Sequence, residues 1–167
     1  MKSSLLFSFS VDKENNTIYV KRAFNAGLQL VWDAWTKAEI LDQWWAPKPY
    51  RAETKSLDFR VGGTWLYAMV SSENEKHWAK ADYTAIQPNQ SIYWVDAFCD
   101  ENGVESPGKP RSVWENQFTE DTGITTVSIT LKHDSLADLE LMIEMGFKEG
   151  FTMGLQNLED LLNQSRK

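Results

Sequence analysis

From Phe7 to Asp12 apolar and polar residues alternate, Phe7, Phe9 and Val11 against Ser8, Ser10 and Asp12. That is the period of a strand with one buried face. Residues 13–16 read as a turn, and the alternation resumes from Thr17 to Phe24 through Ile18, Val20 and Arg22, predicting an opening hairpin or one long strand. At Leu28 the period changes. Leu28, Val31, Trp32 and Trp35 fall at i, i+3, i+4 and i+7, one face of a short helix. A second helix is expected at once, opened by a capping box at Thr36-Lys37-Ala38-Glu39, faced by Ile40, Leu41, Trp44 and Trp45, and stopped by Pro47 and Pro49. Adjacent helical residues point about 100° apart. One of Trp44 and Trp45 is therefore expected in the core, the other at solvent, a partner or a cavity mouth.

Six further strand patterns follow without a helical interlude, at about 52–60, 64–71, 76–86, 91–100, 111–119 and 124–133. They are separated by turn chemistry such as Val61-Gly62-Gly63, Gln87-Pro88-Asn89 and Asp121-Thr122-Gly123. Such a run predicts an antiparallel meander, and with the helices an α+β fold. Parity assigns the inward faces: Trp65, Tyr67 and Met69; His77, Ala79, Ala81 and Tyr83; Ile92, Trp94, Asp96 and Phe98; Trp114, Asn116 and Phe118; Val127, Ile129 and Leu131. Residues 101–110, rich in Gly and Pro, are expected to form a mobile rim. The chain then turns helical over 136–162, capped by Asp134 or Ser135 with Asp138 near the positive end.

That long terminal helix carries Gly146, Gly150 and Gly154 on one stripe, beside Phe147, Phe151, Leu155, Leu158 and Leu162. Each interior glycine costs about 1 kcal/mol of helix propensity. Three of them point to close packing on a sheet, or to room for a ligand between sheet and helix.

The 167 residues suit one domain spanning 1–167. A formal charge of −7 argues against nucleic acid and anionic membrane as partners. Cys99 is the only cysteine, which fits a reducing, cytoplasmic setting, and two histidines and one cysteine far apart provide no zinc spacing, so neither metal nor cofactor is expected. The opening Met1-Lys2-Ser3-Ser4-Leu5-Leu6-Phe7 has the look of a secretory leader. Its apolar run breaks at Ser8 and Ser10 and meets Asp12, Lys13 and Glu14, so no leader is expected, and no stretch is long enough to span a membrane. Eight tryptophans, eight phenylalanines and five tyrosines provide ring area for a core, or for an apolar pocket.

The element order resembles the helix-grip fold of START-related and birch-pollen-allergen-type proteins, the SRPBCC superfamily. More specifically, Val31-Trp32-Asp33-Ala34-Trp35-Thr36, Trp44-Trp45-Ala46-Pro47, Asp58-Phe59-Arg60-Val61-Gly62-Gly63-Thr64-Trp65 and Met145-Gly146-Phe147-Lys148-Glu149-Gly150-Phe151 resemble homologues of the heat-shock protein 90 ATPase activator. The likeness covers about residues 17–163. Ala46 stands where family members commonly have glycine. The resemblance implies a curved antiparallel sheet gripping one long carboxy-terminal helix around a cavity. The eukaryotic activator also carries an amino-terminal chaperone-binding domain that nothing here resembles, which counts against a direct co-chaperone role.

Three kinds of function remain open. In the first, the cavity binds a small apolar or amphipathic molecule. Burying on the order of 300 Å² of apolar ligand surface at about 25 cal/mol/Å² supplies roughly 7 kcal/mol before ordering costs. Trp65, Tyr67, Trp94, Phe147 and Phe151 are the expected walls, Gly150 the source of clearance, and Tyr83, His77 and Asp96 the polar groups. In the second, the protein is a cavity enzyme of aromatase, cyclase or hydrolase type, with His77 as a general base oriented by Asp96; no nucleophile or oxyanion hole is evident. In the third, a chaperone or other protein is the partner, which would show as an outward patch of Trp44, Trp45 and Trp114. His133 reads as a surface residue or cap, and Asp58-Phe59-Arg60 as an ion pair beside a glycine turn.

Overall fold

The computed structural model describes residues 5–165; the leader-like opening begins outside them. Eight strands form one antiparallel sheet, in the order β1-β2-β8-β7-β6-β5-β4-β3. They are β1 (Phe7–Asp12), β2 (Thr17–Phe24), β3 (Arg51–Leu57), β4 (Thr64–Val70), β5 (Lys76–Gln87), β6 (Ser91–Phe98), β7 (Ser112–Asp121) and β8 (Ile124–His133). The hairpin and the meander are both present, joined edge to edge where β2 pairs with β8. Two short helices, α1 (Leu28–Thr36) and α2 (Ala38–Trp44), separate β2 from β3, and α3 (Leu136–Glu144) and α4 (Phe147–Ser165) close the chain. This is the helix-grip arrangement.

Register carries the inward parity across the whole sheet. Tyr67 lies opposite Ala79, Trp65 opposite Ala81 and Met69 opposite His77. Tyr83 lies opposite Trp94 and Ala81 opposite Asp96, Trp94 opposite Trp114, and Trp114 opposite Leu131. Against this face α4 lays Phe151, Leu155, Leu158 and Leu162, all buried. Arg22 shares the inward face, and its guanidinium meets Glu159 of α4 at 2.6 Å with Gln156 at 3.2 Å. A charge held there is tolerated because it is paired and hydrogen-bonded.

Strand β3 ends at Leu57, short of the expected residue 60, because the next residues form the turn. Arg60 Nε bonds Asp58 Oδ2 at 2.8 Å, as the sequence reading expected. A Cβ on Gly63 would lie 2.1 Å from the Asp58 carbonyl oxygen, so only glycine fits. Residues 101–110 are tied to the body: Cys99 bridges Glu105, Ser106 N bonds Phe98 O at 2.9 Å, and Lys55 Nζ bonds Glu101 O at 2.7 Å.

Two expectations are corrected. The terminal helix is two helices, broken at Gly146, where φ is +89°. The amide of Gly146 closes α3 on Ile143 O, and its carbonyl receives the Gly150 amide at 2.9 Å. One left-handed residue thus ends one helix and begins the next. The capping box does not form either. Thr36 is the last residue of α1, its hydroxyl turned back to Trp32 O at 3.0 Å, and Lys37 occupies the N-cap of α2 with no side-chain bond. Trp44 and Trp45 are both buried. They diverge as helical geometry requires: Trp44 packs in the core, its Nε1 bonding Ala34 O at 2.8 Å, while Trp45 turns to the sheet and lines a cavity there. At the N-cap of α3, Ser135 Oγ accepts the Asp138 amide at 3.1 Å, as expected. Among the described residues no helix is long and apolar enough to cross a membrane.

Candidate functional site

Between the inner face of β4 to β7 and the break between α3 and α4 lies a cavity of about 260 Å³, partly open to solvent. Its volume sits just under the roughly 300–1,000 Å³ usual for drug-sized ligands. Trp45, Tyr67, Trp114, Phe147 and Phe151 line it together with Met69, Met142 and Met145. Met142 and Met145 belong to the end of α3, so the Gly146 break is what brings that helix over the cavity. The glycine stripe divides into three roles. Gly146 makes the break, Gly150 lines the cavity with Pro47 Cγ at 3.6 Å from where its Cβ would stand, and Gly154 lies against the Trp44 and Trp45 carbonyls.

The aromatic wall continues behind the cavity as one connected ring system. Trp45 is its hub, with ring centroids at 5.2 Å from Trp65, 5.7 Å from Trp114 and 6.0 Å from Phe151. Trp94 stacks on Trp114 at 5.2 Å, and Trp65 on Tyr67 at 4.2 Å. Rings in such tilted and edge-to-face contact are held in fixed orientations.

Three polar side chains line the cavity: Asp96, Tyr67 and His77. Asp96 Oδ1 accepts the Ser112 amide at 2.8 Å, and Oδ2 accepts Trp114 Nε1 at 2.8 Å. Burial pushes its carboxyl up to about 6, and those two bonds hold it from rising further. Tyr67 accepts from Trp45 Nε1 at 3.1 Å. Burial first, and then the neighbouring Asp96 charge, push its phenol well above the ordinary value, so it stays protonated. His77 is exposed at the mouth, 6.1 Å from the Tyr50 ring.

A sequence profile described as Activator of Hsp90 ATPase homolog 1-like protein matches residues 25–163. The chain belongs to this family. No curated protein matches it. Solved structures share the architecture. Protein Ms6760 from Mycobacterium smegmatis is 25% identical over 95% of this chain and 96% of its own, with a TM-score of 0.86. A Staphylococcus epidermidis protein is 28% identical over 93% and 94%, TM-score 0.81. The AHSA1 protein from Silicibacter pomeroyi is 23% identical over 89% and 99%, TM-score 0.70. The SRPBCC-type fold expected from the motifs is therefore shown.

Within this AHSA1-like chain the expected site residues divide. Tyr67, His77, Asp96, Phe147, Gly150 and Phe151 line the cavity. Trp65, Tyr83 and Trp94 do not; they are buried in the ring system behind it. The Tyr83 hydroxyl is buried without a hydrogen-bond partner and its ring packs edge-on to Phe59 at 5.1 Å. Trp45 and Trp114 line the cavity as well and were not among the expected walls. The signal for Trp114 was its place in the aligned set of β7, directly opposite Trp94.

The catalytic pairing of His77 with Asp96 is not assembled. Asp96 faces Ala81, four residues along β5 from His77, a rise of about 13 Å. Both carboxylate oxygens already accept bonds from other groups. His133, expected at the surface, is buried, with Nε2 2.9 Å from Ser112 Oγ and Nδ1 3.1 Å from Asn16 O; burial pushes it below the ordinary histidine value. It is inward by parity, two residues beyond Leu131. The outward patch of Trp44, Trp45 and Trp114 does not exist, since all three are buried.

Proposed function

We propose that this protein binds a small, mostly apolar molecule in the cavity between its sheet and the start of α4. The observation that carries this reading is an aromatic and methionine-lined space of about 260 Å³ inside a core whose other aromatics are closely packed. Close packing is the rule in protein interiors, and a space this size beside eight tryptophans would be filled if stability were the only demand. The polar groups are few and separate, Asp96 and Tyr67 on the sheet and His77 at the mouth, which is the pattern of a site that orients a ligand rather than one that transforms it. The bound molecule is held by desolvation, with the rings as a rigid wall.

Native mass spectrometry of freshly purified protein, with mass analysis of an organic-solvent extract, tests this. A reproducible bound mass is expected, and Gly150→Leu, which puts a side chain into the space, is expected to abolish it while the protein stays folded. Retained binding in a folded Gly150→Leu protein refutes this placement of the site.

A further inference from the structure

We propose that the cavity selects a small hydrophobic organic cation, an amine whose ammonium group pairs with the Asp96 carboxylate while its carbon skeleton lies against Trp45, Trp114, Phe147 and Phe151. This rests on the cavity being a binding site and adds the class of ligand.

Asp96 is the only acid among the lining residues, and no base faces it there except His77 at the mouth. Its two hydrogen-bond donors, the Ser112 amide and the Trp114 indole, are both neutral, so they orient the carboxylate without cancelling its charge. Arg111, the cation whose field reaches it, places Nε 3.6 Å from Glu105 instead. A carboxylate has about four acceptor sites, and two here are used. A charge withdrawn from water is ordinarily paired, and Asp96, half-buried, takes part in none of the ion pairs among the described residues, in contrast to Arg22 on the same sheet face.

The walls point the same way. Aromatic ring faces are electron-rich and attract a cation held within about 6 Å, and six of the lining rings belong to tryptophan or phenylalanine, which offer a bound anion no oxygen-borne donor. Trp114 serves twice, since its Nε1 bond to Asp96 fixes its ring next to the carboxylate. An overall charge of −7 favours approach of a cation, and the volume limits it to a compact skeleton.

The test is calorimetric titration, at about pH 8, of three matched probes with one ring system: naphthylmethylamine, naphthylmethanol and naphthoic acid. The amine is expected to bind at least about tenfold more tightly than the alcohol, with the acid weakest. In Asp96→Asn the preference for the amine over the alcohol is expected to disappear.

The wild-type protein supplies a second measurement that does not depend on the variant folding: the ratio of amine to alcohol affinity is expected to shrink as pH falls from about 8 to about 5 and Asp96 takes up its proton. The other groups facing Asp96 are Tyr67 of β4, held protonated by burial, and the Arg111 guanidinium ahead of β7. The lining residues of α3 and α4 contain no titratable group. His77 of β5 is controlled by repeating the series in His77→Ala.

Equal binding of amine and alcohol, an acid that binds best, or a ratio that does not change with pH overturns the cation while leaving the cavity reading in place. Failure of all three probes to bind overturns both.

Discussion

Replacing Asp96 by asparagine removes a carboxylate whose cost to the fold depends on pH. The folded protein raises this carboxyl from the ordinary 3.8 to about 6, because burial disfavours the charged form more than the Ser112 and Trp114 bonds favour it. At about 1.36 kcal/mol per pH unit, that rise amounts to about 3 kcal/mol. The sign follows from which state holds the proton. Between the two values the folded protein keeps it and the unfolded chain has released it. The stabilisation from the neutral carboxyl is therefore complete below 3.8 and is lost as pH rises through about 6.

Urea unfolding of wild type and Asp96→Asn at a series of pH values reads this out. The stability of wild type minus that of the variant is expected to fall by about 3 kcal/mol, most of it between about pH 4 and pH 7. Asparagine also loses one acceptor, at a cost of about 1–3 kcal/mol, but that offset does not change with pH. His133 acts in the opposite direction, since its buried neutral ring is stabilising above the ordinary histidine value and that contribution is lost as pH falls. It is present in both proteins, so subtraction removes it. A difference that is flat, or that rises with pH, would show a carboxylate already satisfied as an anion, and would refute the reasoning from burial.

Two other outcomes test the packing. Gly150→Ala is expected to stabilise the protein by about 0.4–1 kcal/mol, since the new methyl meets Pro47 Cγ at an ordinary 3.6 Å. Gly154→Ala is expected to forfeit that gain, since its methyl would stand 3.2 and 3.3 Å from the Trp45 and Trp44 carbonyl oxygens; thermal unfolding that ranks the two the other way contradicts this account. Arg22→Met leaves Glu159 unpaired where both side chains are largely buried, and is expected to cost about 3 kcal/mol. Adding Glu159→Leu is expected to recover most of it, and a single-variant cost well under about 1 kcal/mol would mark the pair as no better than an exposed one.

The strands, their inward faces and the amphipathic helices α1, α2 and α4 were legible because strand and helix periods are local properties of consecutive residues. Parity alone placed Trp65, Tyr67, Trp94, Asp96 and Trp114 on one face, and the motifs from Val31 to Thr36 and from Asp58 to Trp65 supplied the family. Which of these rings line a space and which are packed was not legible, because it depends on residues far apart in the chain meeting at one point. Trp45 arrives from the end of α2, Trp114 from β7 and Phe151 from α4, and only their meeting makes Trp45 a hub and buries Trp44 as well. The same holds for the polar groups. Parity put His77 and Asp96 on one face, but the register of β5 on β6 separates them, and the partners of Asp96 came instead from β7. Gly146 shows the limit from the other side: its place in a helical pattern was clear, while the left-handed turn that swings α3 across the cavity is set by how the two helices pack.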